Sequence, residues 1–494
     1  MEQPARSRSL NELGLAAPGG AALRVTGLSV DSRLTRRGEL FAALPGSTVH
    51  GAEFAGRALE RGAAAILTDR AGAALLAGGA GDIPVVVVED PRQTLAYAAS
   101  LWFGLQPPTV VAVTGTNGKT SVAAFTRQIW EALGLCAINV GTTGVEGGWS
   151  APAPHTTPEP VTLHRLLAEA AEAGVTHAAM EASSHGLDQR RLDGVRLAAA
   201  AFTNLSQDHL DYHPSLEAYF DAKEGLFSRV LPEDATAVVN VDDPRGAEIA
   251  RGVAARGQDL LTVGRGREVA LRLISQRFEA GGQSIRYAWG GVTRQARLTL
   301  VGGFQAENAL IAAGLALATG AEPAGVFDAL PGLGGVRGRM QKVAERQNGA
   351  TVYVDYAHTP EAVRTALAAL RPHVMGRIVV VLGAGGDRDR GKRPLMGRAA
   401  AEGADLVLVT DDNPRSEDPA AIRAAVMAGA GDAVEVGDRA EAILRGVDAL
   451  GEGDALLIAG KGHETGQTIG TTVYPFDDAE QASVAVAALD GQLA

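Results

Sequence analysis

A lysine and a threonine stand side by side at positions 119 and 120, just behind two glycines, in VVAVTGTNGKTSVAAFTRQIWEAL. Lysine supplies a compact cation and threonine a hydroxyl. Glycines let backbone N–H groups close around an anion. An apolar, β-branched run (Thr109 to Thr114) precedes them, and an amphipathic helical pattern starts at Thr120. Strand, glycine loop, Lys-Thr and helix is the order that holds a triphosphate at a helix N-terminus. On this reading Gly115, Thr116, Asn117, Gly118 and Ser121 line the loop, Lys119 reaches the β- and γ-phosphates, and Thr120 offers its hydroxyl to Mg²⁺. The spacing departs from the general G-x-x-x-x-G-K-[ST] pattern, whose first glycine would fall at Val113.

Further polar clusters lie downstream: His155-Thr156-Thr157-Pro158, Glu181 in MEASSHGL, His209 in NLSQDHLDYH and Lys223 in YFDAKEGLF. Singly, each has a plain structural reading: a helix cap for Glu181, a surface pair for His209 and His213, a solvated helix face for Lys223. Taken together, Glu181, His209 and Thr120 could hold Mg²⁺, which favours oxygen ligands and keeps several waters. A zinc H-E-x-x-H pattern is missing, since His463-Glu464 lacks a second histidine.

The elements that must position these residues are those of an α/β chain. Residues 1–107 alternate short apolar runs with glycine turns and read as a small α/β domain, closed by the stiff Pro107-Pro108 pair. From 108 to 335, strand-like runs such as HAAMEAS, LAAAAFTNL and ATAVVNVD alternate with helical ones, which predicts a doubly wound, mostly parallel sheet of phosphate-loop type with ligands at its carboxyl ends. Residues 268–301 read instead as antiparallel hairpins, followed by an Ala-rich helix. After a glycine-rich hinge at 332–338, βα alternation restarts and predicts a third domain, 336–494, of dinucleotide-fold type. Arg388 replaces the third glycine of a nicotinamide fingerprint there, so that cofactor is excluded.

Composition narrows the class. At 494 residues the chain exceeds one ordinary core. With 57 acidic against 45 basic residues its net charge is −12, which argues against a nucleic-acid partner. The single cysteine, Cys136, rules out an intrachain disulfide, and its apolar surroundings (LGLCAINV) predict a buried structural thiol. The N-terminus lacks a signal-peptide core and no run of 18 apolar residues occurs, so a cytoplasmic protein without a membrane span is expected.

With these residues assembled, the sequence resembles the Mur ligases along nearly its whole length. TGTNGKT, NLSQDHLDYH, YFDAKEGLF, VDYAHTP, GAGGDRDRGKRPLM, DDNPRSEDP and AGKGHE occur in that family's order. The resemblance implies an N-terminal UDP-sugar domain, a central ATPase and a C-terminal amino-acid domain. Carried over by position, it implies contacts from Ser32 and the segment through His50 to the uridine diphosphate. Thr156, Thr157, Ser183, Gln189 and Arg191 would hold the muramoyl-peptide end, and Asn308, Arg339 and Asp355 would contact ATP, with His358 left without a role. It also implies that Lys223 is carbamylated. That turns a cation, which would repel a metal, into an anionic oxygen ligand for a second Mg²⁺ beside Glu181 and His209.

The activity implied is ATP-dependent amide formation in peptidoglycan precursor synthesis. An amino acid would join the D-Glu of UDP-N-acetylmuramoyl-L-alanyl-D-glutamate through an acyl phosphate, on a monomer. Asp412-Asn413-Pro414-Arg415 resembles the pattern of members that add meso-2,6-diaminopimelate, favoured here over lysine or ornithine. Arginine can grip the distal carboxylate bidentately, although Arg415 could also brace its own loop through Glu417 or Asp418. Arg388, Gly460 and Glu464 would bind the other end. Two other classes are weighed. A folylpolyglutamate-type ligase lacks a use for the 107-residue leading domain and for DDNPRSEDP. A nucleotide-binding switch needs neither the His209/Lys223 pair nor the third domain.

Overall fold

The computed structural model describes residues 6–17, 20, 22–46, 48–79, 81–206 and 212–491. Within it the chain forms two compact units, one of residues 1–269 with 311–326 and one of residues 270–310 with 327–494. The helix Phe304–Ala318 passes from the second into the first.

Among the described residues the first unit contains a short antiparallel pair, Arg8–Ser9 with Arg24–Val25, and two larger sheets. A small parallel sheet orders Leu28–Ser29, Leu40–Ala42, Ala65–Thr68 and Val85–Val87 side by side. The larger sheet runs Leu260–Gly264, Thr236–Asn240, Ala199–Phe202, Thr109–Thr114, His177–Glu181 and Ala137–Gly141, all parallel, with Gly144–Gly147 added antiparallel. Its strands are near-continuous apolar runs because helices cover both faces; Val110 to Val113 are buried without a break. The helices start where the sequence supplies caps. Glu159 accepts from Val161 and Thr162 N–H ahead of Pro160, and Asp243 accepts from Arg245 and Gly246 ahead of Pro244. Strand Thr109–Thr114, first of this sheet in the chain, lies between the later strands Ala199–Phe202 and His177–Glu181, which makes its carboxyl end a topological switch point.

The second unit opens with the expected antiparallel meander, Leu271–Glu279, Gly282–Trp289 and Val292–Leu298. Its six-stranded sheet orders Gln341–Glu345, Thr351–Asp355, Ala455–Ala459, Ile378–Leu382, Leu406–Val409 and Val434–Glu435, parallel except for the first pair, and a hairpin pairs Gly466–Ile469 with Thr472–Pro475. Among the described residues no helix is long and apolar enough to cross a membrane.

Two expectations need correction. The helix after the glycine loop begins at Lys119, one residue early, because Gly118 takes a left-handed conformation (φ 87°) and itself ends the loop. Cys136 is exposed, not buried: the buried run starts at Ala137, and Cys136 serves the structure through its carbonyl, which accepts from the Thr176 and His177 N–H groups.

A buried histidine gives the first unit a pH dependence. His164, on helix Pro160–Glu172, is 2% exposed and its Nε2 has no hydrogen-bond partner. Burial, with Arg196 nearby, lowers its pKa from 6.5 to about 4. A depressed base binds its proton more weakly when folded, so the unfolded chain takes up more protons between those values and stability falls as pH drops. About 2 kcal/mol of this unit's stability is expected to be lost between pH 7 and 5 on this account. Urea unfolding of wild type and His164→Leu at both pH values checks it: the variant should lose that much less.

Candidate active site

The glycine loop is held from the neighbouring strand. Thr203 Oγ1 donates to the Asn117 carbonyl (2.6 Å), Asn204 Oδ1 accepts from Asn117 N–H (3.0 Å), and Thr116 N–H donates to the Asn204 carbonyl (2.8 Å). A Cβ at Gly115 would stand 1.9 Å from Thr203 Oγ1, so that close approach requires glycine. Lys119 Nζ donates to the carbonyls of Gly115 (2.9 Å) and Thr116 (2.8 Å). Thr120 and Ser121 are buried on the first helical turn.

Glu181 is the hub beside this loop. Its strand pairs in parallel with the loop's own, Glu181 opposite Val113. Its carboxylate, 1% exposed, accepts from Thr120 Oγ1 (3.0 Å), Thr142 N–H (2.8 Å) and Thr142 Oγ1 (3.4 Å). A Cβ at Gly141 would meet Glu181 Oε1 at 2.0 Å. Thr142 Oγ1 lies 3.0 Å from Thr156 Oγ1, and Thr157 Oγ1 donates to the Glu181 carbonyl (2.8 Å) while accepting from Ser183 N–H (3.0 Å). Arg191 continues the chain to the Thr157 carbonyl (2.5 Å) and to Gln189 Oε1 (2.8 Å). The structure therefore joins Thr120, Glu181, Thr156, Thr157, Ser183, Gln189 and Arg191 in one connected constellation. A carboxylate and hydroxyl oxygens converging beside a phosphate-type loop form the hard donor set that suits Mg²⁺.

Lys223 is 1% exposed on helix Leu216–Gly225, so the solvated-face reading fails. Its Nζ donates to the Gly115 carbonyl (2.7 Å) and sits 4.4 Å from the centroid of the Tyr219 ring, whose hydroxyl reaches Thr116 Oγ1 (3.2 Å). His209 lies outside the described residues.

Toward the N-terminal end of the same unit, Ser32 is buried in the turn closed by Thr35 N–H on the Asp31 carbonyl. His50 accepts from Ala52 N–H at Nδ1 (3.0 Å), which leaves its hydrogen at Nε2, 3.1 Å from Asp69 Oδ1. Asp69, Pro45, Asp90 and Arg92 line a cavity of about 610 Å³.

In the second unit the predicted amino-acid residues converge at the carboxyl ends of the sheet. Asn413 is the joint: its Nδ2 donates to Glu464 Oε2 (2.8 Å), and its Oδ1 accepts from Lys461 Nζ (3.0 Å) and Thr468 N–H (2.8 Å). Lys461 is fully buried and also donates to the Gly466 carbonyl (2.7 Å). Burial raises the Glu464 pKa and lowers that of Lys461. Gly460 takes φ 120°, and a Cβ there would meet Asp412 Oδ2 at 2.5 Å. Arg415 adopts φ 51°, a strained conformation for a side-chain-bearing residue, held because its N–H donates to Thr468 O (3.0 Å) and its carbonyl accepts from Gly470 N–H (2.7 Å). Its Nη1 donates to the Gly386 carbonyl (2.8 Å), while Glu417 is held by Arg393 and Arg390 (2.8 and 3.1 Å). A Cβ at Gly385 would stand 2.9 Å from Arg415 Nη1 and 3.8 Å from Arg388 Cγ, so both arginines flank this glycine.

The three residues expected at ATP belong to this second unit. Asp355 Oδ2 accepts from Met340 N–H (2.7 Å); burial raises its pKa and Arg339 opposes the rise. Arg339 lies over the Tyr356 ring (5.1 Å), which His358 and His463 also contact (4.5 and 5.0 Å). Asn308 is buried and donates to Gln305 Oε1 (3.0 Å).

Three family signatures match the chain: the Mur ligase family catalytic domain over residues 24–102, the Mur ligase middle domain over 113–316, and the Mur ligase glutamate ligase domain over 338–462. The UDP-N-acetylmuramoyl-L-alanyl-D-glutamate–2,6-diaminopimelate ligase of Bradyrhizobium diazoefficiens is 51% identical over 474 residues, 95% of this chain and 96% of that one. The chain belongs to the Mur ligase family. This Mur ligase is likewise 51% identical over 482 residues to the corresponding ligase of Brucella melitensis, covering 97% of each. A solved UDP-N-acetylmuramoyl-L-alanyl-D-glutamate–2,6-diaminopimelate ligase superposes with a TM-score of 0.72 at 33% identity, over 98% of this chain and 99% of that one. It has the three-domain α/β fold of the family.

Residue reading missed several parts of this Mur ligase's site. Thr142 supplies two donors to Glu181, and Thr203 and Asn204 clamp the loop. Both segments, GTTG and FTNL, directly follow strands of the central sheet, and that was the available signal. Lys461, inside AGKGHE, stands between two glycines and carries no local sign of its burial.

Proposed function

We propose that this Mur ligase joins meso-2,6-diaminopimelate to the D-Glu of UDP-N-acetylmuramoyl-L-alanyl-D-glutamate in cytoplasmic peptidoglycan precursor synthesis, with ATP as phosphoryl donor. The observation that carries the reading is the 51% identity, over nearly the full length, to ligases of that name. Domains at 1–107, 108–335 and 336–494, for UDP-sugar, ATP and amino acid respectively, fit it, as does a monomer.

The chemistry follows from the constellations. A D-Glu γ-carboxylate oxygen attacks the γ-phosphorus of ATP, the bond to the β-phosphate oxygen breaks, and ADP leaves. The acyl phosphate so formed has the leaving group that a carboxylate lacks. The amine of the diamino acid attacks its carbonyl carbon, a proton is lost, and phosphate departs. Lys119 neutralises charge on the transferring phosphoryl, and the loop's amides orient it. Arg191, Thr157 and Ser183 orient the D-Glu end. Thr120, Glu181, His209 and a carbamylated Lys223 would hold Mg²⁺, which supplies further neutralisation of phosphoryl charge when bound. In the second unit Arg415 and Arg388 present cations to carboxylates, and Asp412 and Glu464 present acceptors to ammonium groups. A zwitterion with a second carboxylate uses all four; lysine and ornithine lack that carboxylate.

The test is phosphate release and product mass with the UDP-dipeptide plus each of diaminopimelate, lysine and ornithine in competition, with folate plus glutamate as a further arm. Arg415→Ala should lose a charge-assisted pair of about 1.5–3 kcal/mol, roughly 10- to 150-fold in kcat/KM with diaminopimelate, and little with lysine. A wild type that ignores diaminopimelate overturns the substrate assignment; turnover only with folate overturns the reaction.

A further inference from the structure

We infer that Arg439 is a positioning residue for the incoming amino acid, a buried strut that fixes the spacing of the two recognition loops; this rests on the reaction proposed above. Arg439 opens helix Arg439–Asp448 and its side chain is fully buried. Its Nε and Nη2 fork onto the two carboxylate oxygens of Asp478 (2.7 and 2.6 Å), itself fully buried at the start of helix Asp478–Leu489. Two further N–H groups reach backbone carbonyls: Nη1 to Asp411 (3.3 Å) and Nη2 to Ala459 (3.1 Å).

The Ala459 carbonyl ends strand Ala455–Ala459, and the Asp411 carbonyl lies two residues past the end of strand Leu406–Val409; the two strands are not neighbours, because Ile378–Leu382 runs between them. One leads directly into Asp412, Asn413 and Arg415, the other into Gly460, Lys461 and Glu464. Arg439 therefore ties both halves of the amino-acid site to one rigid group. At Gly460 the two converge: a Cβ there would stand 2.5 Å from Asp412 Oδ2 and 3.9 Å from Arg439 Nη2.

Stability alone does not account for this choice of residues. A buried ion pair is often matched or exceeded by apolar side chains of similar size, and an arginine at a helix N-terminus opposes the helix dipole. What an apolar pair cannot supply is two directed donors to two strand ends. A diamino acid gripped at both ends is sensitive to that spacing, while phosphoryl transfer to the D-Glu carboxylate is not.

The experiment compares wild type with Arg439→Lys, which keeps the cation but loses the fork, and with the double variant R439M/D478L, which removes both charges so that neither is stranded. Each is checked for folding by its thermal transition. Ligation is assayed with diaminopimelate, and the first half-reaction with hydroxylamine, a small nucleophile that traps the acyl phosphate as a hydroxamate. The strut predicts a KM for diaminopimelate raised about tenfold or more in the double variant and less in Arg439→Lys. The KM values for ATP and UDP-dipeptide and the rate of hydroxamate formation should stay within about threefold of wild type. A folded double variant with an unchanged KM for diaminopimelate, or a hydroxamate rate falling in parallel with ligation, overturns the strut. A wild type that forms no hydroxamate overturns the ligase reading on which it rests.

Discussion

Replacing Lys119 by alanine is expected to lower kcat by about a hundredfold to a thousandfold while leaving the fold intact. The residue is half-buried, and its ammonium donates to the carbonyls of Gly115 and Thr116 within its own loop. Losing those two bonds costs about 1–3 kcal/mol, modest for a loop that Thr203 and Asn204 hold independently. The catalytic loss is larger because the transferring phosphoryl gathers negative charge where water is excluded, and a fixed cation there contributes roughly 3–4 kcal/mol to the transition state. Single-turnover ADP formation with saturating UDP-dipeptide isolates the step, and the melting transition reports the fold. Near-wild-type ADP formation would remove Lys119 from the phosphoryl-transfer machinery.

The phosphate loop was legible because everything that makes it is local: an apolar run, two glycines with positive φ and a helix within 24 residues. Glu181 was legible as a candidate, but its place at the hub was not. That place depends on the parallel register setting Glu181 opposite Val113, and on Thr142, which arrives from another strand end. Lys223 shows the same limit more sharply. YFDAKEGLF has the look of a solvated helix face, yet the side chain is buried against Gly115, 108 positions earlier. Cys136 failed in the opposite direction, since apolar neighbours in sequence did not bury a residue one step outside its strand. Arg439 left only an indirect trace. It sits in DRAEAI, at a helix start where a cation is locally unfavourable, and such a conflict between local preference and placement marks a tertiary duty.

Both Lys223→Ala and Lys223→Arg are expected to be nearly inactive, by about a hundredfold to ten-thousandfold in kcat, if the residue works as a carbamate. A lysine acting as a simple cation predicts something else: arginine keeps the charge and should retain much of the activity. The position makes the contrast clean. Nζ lies 2.7 Å from the Gly115 carbonyl, at the base of the phosphate loop, and Tyr219 beneath it connects to Thr116. A carbamate forms when the amine nitrogen bonds the carbon of CO₂ and releases a proton, so the group that faces the loop changes from a donor of positive charge to an anionic oxygen pair suited to Mg²⁺. Neither alanine nor arginine supplies those oxygens. A short carboxylate such as acetate or formate can enter the space vacated in Lys223→Ala and should restore part of its activity in a concentration-dependent way, while leaving Lys223→Arg, whose side chain still fills the space, unaffected. Intact-protein mass under CO₂-buffered native conditions supplies a readout independent of turnover, a gain of about 44 Da for the added CO₂, expected on wild type and lost in both variants. Full activity in Lys223→Arg would end the carbamate assignment and leave Lys223 as a cation bracing the loop through Gly115.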